Sequence, residues 1–175
     1  MRKIQLGAGG EKVPGWENYD IEVDMRKRLP FEDNSIDFIM TEHAVEHITQ
    51  HEAYQFFEEC MRVLKFGGVF RITIPDIKKV YMNCDDHYRG FVKAYLHKEV
   101  TTKIAVEQLI FNFGHRSFWT ADLLMATLSI VGFKIEATDY NRSRIPELNG
   151  IEQHWKPIGI AAAVMESISV EATKP

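Results

Sequence analysis

Apolar positions in this chain follow two rhythms. Lys3–Leu6, Trp16–Ile21, Asp37–Thr41 and Val69–Ile74 are short runs of strand length, the last two rich in β-branched and aromatic residues. Phe133–Tyr140 alternates as a strand does, and so does Ser167–Thr173, with Ile168, Val170 and Ala172 on one face and Ser169 and Glu171 on the other. Between the third and fourth runs the period changes. Ala53, Phe56, Phe57, Cys60, Met61 and Leu64 recur at steps of three and four, the stripe of an amphipathic helix. Thr49-x-x-Glu52 in front of it has the spacing of a capping box, and Gly67-Gly68 behind it predict its end. A second helix is predicted over Thr120–Val131, begun by Thr120 and stopped by Gly132. Residues 76–118 are the least regular and predict two helices, while Ile158–Met165 reads equally as strand or helix.

Strand, helix, strand in this order implies parallel strands joined by a right-handed crossover. No repeat, low-complexity tract or linker divides the 175 residues, so one domain over 1–175 is expected. Composition adds limits. With 45% hydrophobic and 26% charged residues the chain is of globular type. A net charge of −4 offers no basic footprint for nucleic acid, and Arg26-Lys27-Arg28 is too short a cluster to act as a phosphate track. The two cysteines form no CxxC or Cys/His quartet. Cys60 falls on the buried helix stripe as a small apolar filler. No apolar run reaches the ~20 residues of a membrane span, and the N-terminus runs into glycines instead of a signal-type apolar segment. A cytoplasmic location is the expectation.

Chemistry enters at Gly7-Ala8-Gly9-Gly10, directly after the first strand. Glycines there let backbone N–H groups approach a carboxylate or phosphate. Asp20, at the end of the next strand, is placed to accept both hydroxyls of a ribose. The pair points to an adenosine-containing ligand. A dinucleotide fingerprint fails, because Lys12 stands where its third glycine should be, Asp20 comes too early, and Pro14-Gly15 would break the required helix.

The run Ile4–Gly10, Pro14–Asp20 and Leu29–Asp37, followed by Glu42–His47, Arg62–Gly68 and Ile74-Pro75-Asp76, resembles the class I S-adenosylmethionine-dependent methyltransferases, notably their small "type 11" branch. A looser likeness returns at His115–Phe133 and Pro146–Glu152. The resemblance implies an α/β fold: a Rossmann-like sheet of seven strands, mostly parallel, with the last strand antiparallel and helices on both faces. It implies S-adenosylmethionine as cofactor. Gly7, Ala8 and Gly9 would face its methionine part, Asp20 its ribose, and Asp24 and Met25 its adenine, with Ile21 also in the cofactor site. Thr41, Glu42 and His43 would sit beside the methionine part. One departure is evident: only seven residues link Gly10 to Trp16, so the first helix is shortened to a loop or turn. Residues 77–118 are left as a helical cap over substrate.

His43 or His115 could serve as a base for a hydroxyl or protonated amine acceptor, with Asp76 orienting base or acceptor. Each histidine also has a plain structural reading as a hydrogen-bonding residue. His43, His47 and His51 are spaced by four, but the capping box at Thr49 starts a new helix between His47 and His51, so no metal site is expected. The Asn/Asp-Pro-Pro-Tyr/Phe motif of amino-methylating DNA enzymes and the Pro-Cys of cytosine-C5 enzymes are both missing. A small-molecule acceptor methylated on oxygen or nitrogen follows, such as a sugar or secondary metabolite, with neither nucleic acid nor membrane as partner and a homodimer left open. The competing readings are a catalytically silent cofactor- or partner-binding domain of the same fold and, more distantly, a nucleotide-dependent oxidoreductase.

Overall fold

The computed structural model describes residues 1–175. Its centre is a six-stranded sheet in the order β2-β1-β3-β4-β6-β5. The strands are β1 (Lys3–Leu6), β2 (Glu17–Tyr19), β3 (Ile36–Glu42), β4 (Leu64–Pro75), β5 (Lys134–Thr138) and β6 (Ser167–Thr173). The first four pair in parallel, and β6 lies antiparallel between β4 and β5. One strand of the expected seven is missing. Residues 20–35, which would have to supply it beyond β2, form turns, and the Asp24 carboxylate holds one of them by accepting the Arg26 N–H at 3.0 Å.

The helices are α1 (Gln50–Val63), α2 (Ile77–Asn83), α3 (Asp86–Leu96), α4 (Thr102–Phe111), α5 (Ala121–Val131), α6 (Trp155–Ile158) and α7 (Ile160–Glu166). Segment 76–118 therefore carries three helices where two were expected, and 158–165 resolves in favour of helix. The capping box at Thr49 and Glu52 is formed in both directions, and Gly132 ends α5 at φ +111°. Gly67-Gly68 play a different part from the one expected. The chain is already extended at Leu64, and both glycines lie inside β4. A Cβ on Gly68 would stand 2.9 Å from the Lys65 carbonyl and 3.1 Å from that of Asp37, so strand crossing, not helix capping, demands glycine there.

The two faces of the sheet are covered differently. Ile4, Leu6, Ile39, Phe70, Ile72, Val170 and Ala172 point to one face, where Phe56, Phe57 and Cys60 of α1 and Leu124 and Leu128 of α5 seal them. The opposite face carries Met40 and Val69, covered by Val13, Trp16, Leu148 and Ile151, all from loops or a short 3-10 turn. Loops take the place of the shortened first helix here, because ten residues between β1 and β2 leave no room for one. Buried Gln5 instead pins that loop, accepting the Val13 N–H at 3.0 Å and donating to the Glu11 carbonyl at 3.0 Å. A second small core, built by Val80, Tyr88, Val92, Ala105, Leu109, Ala162 and Met165, joins α2, α3, α4 and α7 beside the carboxyl ends of β3 and β4.

Candidate active site

The loops after β1, β2 and β3 meet at the carboxyl edge of the sheet, where strand order reverses and doubly wound folds bind ligands. Gly7 has φ +68°, and a Cβ on it would come within 2.5 Å of the Ala44 Cβ, so the two loops can touch only because Gly7 has no side chain. Gly9, at φ +51°, is exposed with open space where a Cβ would stand. Ala8 is buried, and its N–H already binds the Tyr19 carbonyl at 2.9 Å. Its backbone donor is therefore not free, unlike those of its glycine neighbours.

Asp20 follows β2 with an exposed carboxylate bonded to no side chain, and Ile21 beside it is 92% exposed. Met25 packs over Gly7. Asp24 is engaged differently: Arg26 donates to it at 2.8 and 3.0 Å and holds its carboxyl well below the usual carboxylate range. Thr41 is fully buried and its hydroxyl has no partner. Open glycine backbone, a free carboxylate, an exposed apolar residue and an unbonded hydroxyl suit a ligand that is part zwitterion, part ribose and part base. S-adenosylmethionine fits this edge.

Glu42 does not face it. Its oxygens accept from the Tyr140 hydroxyl at 2.9 Å and from the N–H groups of Gln153 and His154 at 2.6 and 3.0 Å. The burial of Tyr140 beside this carboxylate pushes the phenol up. Glu42 therefore straps segment 140–154 over the sheet. Asp76 is likewise spent: one carboxylate oxygen accepts from Lys79 N and the other from Ala121 N, so it caps α2 and α5 together. Asp76 also lies outside the cavity described next.

That cavity, of about 280 Å3, lies at the carboxyl ends of β3 and β4, where His43 and Pro75 line it. His43, Glu46, His47, His115, His154 and Glu166 supply its polar lining, and Phe91, Leu109 and Phe113 its apolar wall. His43 is a non-glycine residue at φ +47°, a conformation that has to be held by its surroundings. Its ring stacks on His154 at 3.6 Å, its Nε2 lies 2.9 Å from Ser167 Oγ, and its Nδ1 lies 3.4 Å from a Glu46 oxygen. Burial acts to lower the His43 pKa, but the nearby carboxylates, Glu46 above all, raise it past its ordinary value. Burial acts to raise Glu46, and His43 holds it below its ordinary value. His115 is shifted down by burial. His51, by contrast, is exposed on α1 and belongs to no cluster, as the capping box requires.

His43 and His115 thus share one cavity, while the sequence gives little sign of His154 and Glu166. Both lie more than 100 positions beyond His43, and only the antiparallel β6 and the helix before it bring them back.

Residues 8–72 match the sequence model of the methyltransferase-domain family. That stretch is similar to the class I S-adenosylmethionine-dependent methyltransferases. A probable S-adenosylmethionine-dependent methyltransferase of Mycolicibacterium smegmatis is 37% identical over 57 residues, covering 33% of this chain and 21% of that protein. The match thus spans about a fifth of the curated relative's length. Among solved structures, a possible histamine N-methyltransferase of Thermotoga maritima superposes with a TM-score of 0.57 at 17% identity, over 99% of this chain and 82% of that one. The partner of the Trm112 methyltransferase activator in a Haloferax volcanii complex does so with a TM-score of 0.57 at 12% identity, again over 99% and 82%. At such identities these structures establish the fold of this chain and no acceptor. The matched family model and the Mycolicibacterium relative imply S-adenosylmethionine as the cofactor.

Proposed function

We propose that this chain is an S-adenosylmethionine-dependent methyltransferase, transferring a methyl group to an oxygen or nitrogen of a small metabolite held in the histidine-lined cavity. The observation that carries the reading is the loop after β3, in which Ala44 packs against Gly7 and its neighbour His43 lines the cavity. S-adenosylmethionine supplies a methyl group on a sulfonium, which an acceptor atom displaces in line. Gly7 and Gly9 admit the cofactor to the backbone, Asp20 accepts its ribose hydroxyls, and Ile21 and Met25 flank its base. Thr41 offers its unbonded hydroxyl to the same ligand.

His43 is the base best placed for a hydroxyl acceptor. With Nδ1–H turned toward Glu46, its Nε2 accepts a proton directly or through Ser167 Oγ, and Glu46 stabilises the resulting imidazolium. His115 is the alternative base on the opposite wall. Helices α2, α3 and α4 act as the cap. Their cavity, at about 280 Å3, suits a small molecule better than a polymer. A silent, cofactor-binding domain is the second reading, favoured by the missing strand beyond β2, which leaves Ile21 bare.

The test is binding followed by transfer. S-adenosylhomocysteine at 100-fold excess over its dissociation constant should stabilise the fold by about 2.7 kcal/mol. Asp20→Ala should weaken that binding about ten- to hundredfold, because charge-assisted hydrogen bonds contribute about 1.5–3 kcal/mol each. Methyl-labelled cofactor incubated with fractionated cell extract should then label the small-molecule fraction. Absence of stabilisation overturns the reading. Binding without transfer selects the silent domain, and label confined to RNA or protein overturns the small acceptor.

A further inference from the structure

We propose that Glu46, His47 and His115 form a binding site for a divalent transition-metal ion, with Zn2+ the best match to the donors. One oxygen and two imidazole nitrogens of these residues lie within 4.8 Å of one another. Glu46 is 2% exposed, and neither of its oxygens accepts a hydrogen bond. Its neighbours are imidazoles, His43 at 3.4 Å and His115 at 4.0 Å, and no lysine or arginine pairs with it. A carboxylate buried without hydrogen bonds or a permanent cation is costly. A divalent ion would remove that cost.

The donors are also held for the purpose. Arg116 N and Ser117 N both donate to the Glu46 carbonyl, at 2.8 and 3.1 Å, which fixes the segment bearing His115 against the turn bearing Glu46 and His47. His47 Nδ1 lies 3.3 Å from the Gly114 carbonyl. A proton on Nδ1 makes that bond and leaves Nε2 as the metal-binding nitrogen, the support that ligating histidines commonly have. Two imidazoles and one carboxylate suit zinc or iron more than calcium or magnesium, and they leave coordination positions open toward the cavity. The neighbouring cluster of His43, His154 and Glu166 is not equivalent. His43 is engaged with Ser167 and His154 with Glu166, each at 2.9 Å.

The metal site shares Glu46 and His115 with the proposed acceptor cavity and does not require methyl transfer, and its test reads metal directly. Metal-stripped full-length protein is titrated with ZnCl2 by calorimetry and with CoCl2 by visible absorption. One ion per chain is expected, with Co2+ giving the d–d bands of a four- or five-coordinate site. His47→Ala, a change at an exposed side chain, should weaken Zn2+ binding about tenfold or more. Glu46→Gln, which keeps shape and removes charge, should do at least as much, and His51→Ala should change nothing. The absence of saturable binding overturns the proposal. So does wild-type affinity in His47→Ala, or loss in His154→Ala with none in His47→Ala. S-adenosylhomocysteine affinity measured on the same samples separates this outcome from failure of the methyltransferase reading.

Discussion

The two faces of the sheet solve one problem in different ways. On one, α1 and α5 bury a continuous apolar surface, and Phe56, Phe57 and Phe70 pack with ring centroids about 6 Å apart. On the other, segment 139–154 is loop with one short 3-10 turn, and it is held by charge. Arg71, fully buried, donates to Glu152 at 2.5 Å, Glu171 at 2.7 Å, Thr138 Oγ1 at 3.1 Å and the Asp139 carbonyl at 3.2 Å. Burial raises the Glu152 pKa despite its guanidinium partner. Glu42 adds its three hydrogen bonds further along the same face. A face without a helix lacks an apolar stripe to bury, so its cover depends on directional bonds between a few buried groups. The same contrast separates the glycine edge, made of backbone, from the cavity, lined by side chains.

The largest expected effects test this contrast directly. Phe57→Ala should cost about 3–5 kcal/mol by opening a cavity under α1. Arg71→Ala should cost about as much by stranding two buried carboxylates. The conservative variants should part company: Phe57→Leu recovers most of the loss, whereas Arg71→Lys does not, since an ammonium cannot reproduce the fork. Denaturant unfolding of the four variants measures this, and equal rescue would mean that the two faces are held alike.

Next is Glu42→Ala, which frees the Tyr140 hydroxyl and two backbone N–H groups at a cost of about 1–3 kcal/mol for each group left buried. Hydrogen exchange should rise over 140–154 and remain unchanged in α1. Uniform protection would show that the strap is redundant. A smaller loss, about 1 kcal/mol, is expected for Thr49→Ala, which removes the capping box on the helical face. Its thermal unfolding should shift without any change in exchange over 140–154.

The smallest effect is a pH dependence. Hydrogen bonds from Arg62, and then from Leu29 N, hold the Glu59 carboxyl below its ordinary value of 4.5. A depressed carboxylate stabilises the fold above its ordinary value, and that contribution disappears as pH falls through the lowered one. Glu59→Gln should therefore flatten the acid limb of stability below about pH 4.5 and leave the alkaline limb alone. An unchanged acid limb would assign the loss to other carboxylates.

Local patterns were legible wherever the decisive interaction spans few residues. The stripe from Ala53 to Cys60, the Thr49–Glu52 box, the Gly132 cap and the β6 alternation are all properties of neighbours in the chain. The glycine edge and Asp20 belong to the same class, since each sits directly after its own strand. Errors arose where a distant partner decided. Gly67-Gly68 look like a helix terminator until the Asp37 carbonyl is found against Gly68. Asp76 looks like a catalytic carboxylate until α5 brings the Ala121 N–H to it. Ser169 and Glu171 alternate as a solvent-facing row should, yet Arg71 and Thr73 bury them.

By itself, then, the sequence determined the order of the elements, the apolar stripes and the backbone freedom at Gly7 and Gly9. These depend on local sterics and periodicity. Only the tertiary structure decided which charges meet. Arg71 with Glu152, Glu42 with His154, and Glu46 with His115 are each joined by the sheet's crossovers from about 70 to more than 110 positions apart. Electrostatics acts through distance in space, and sequence spacing does not encode that distance.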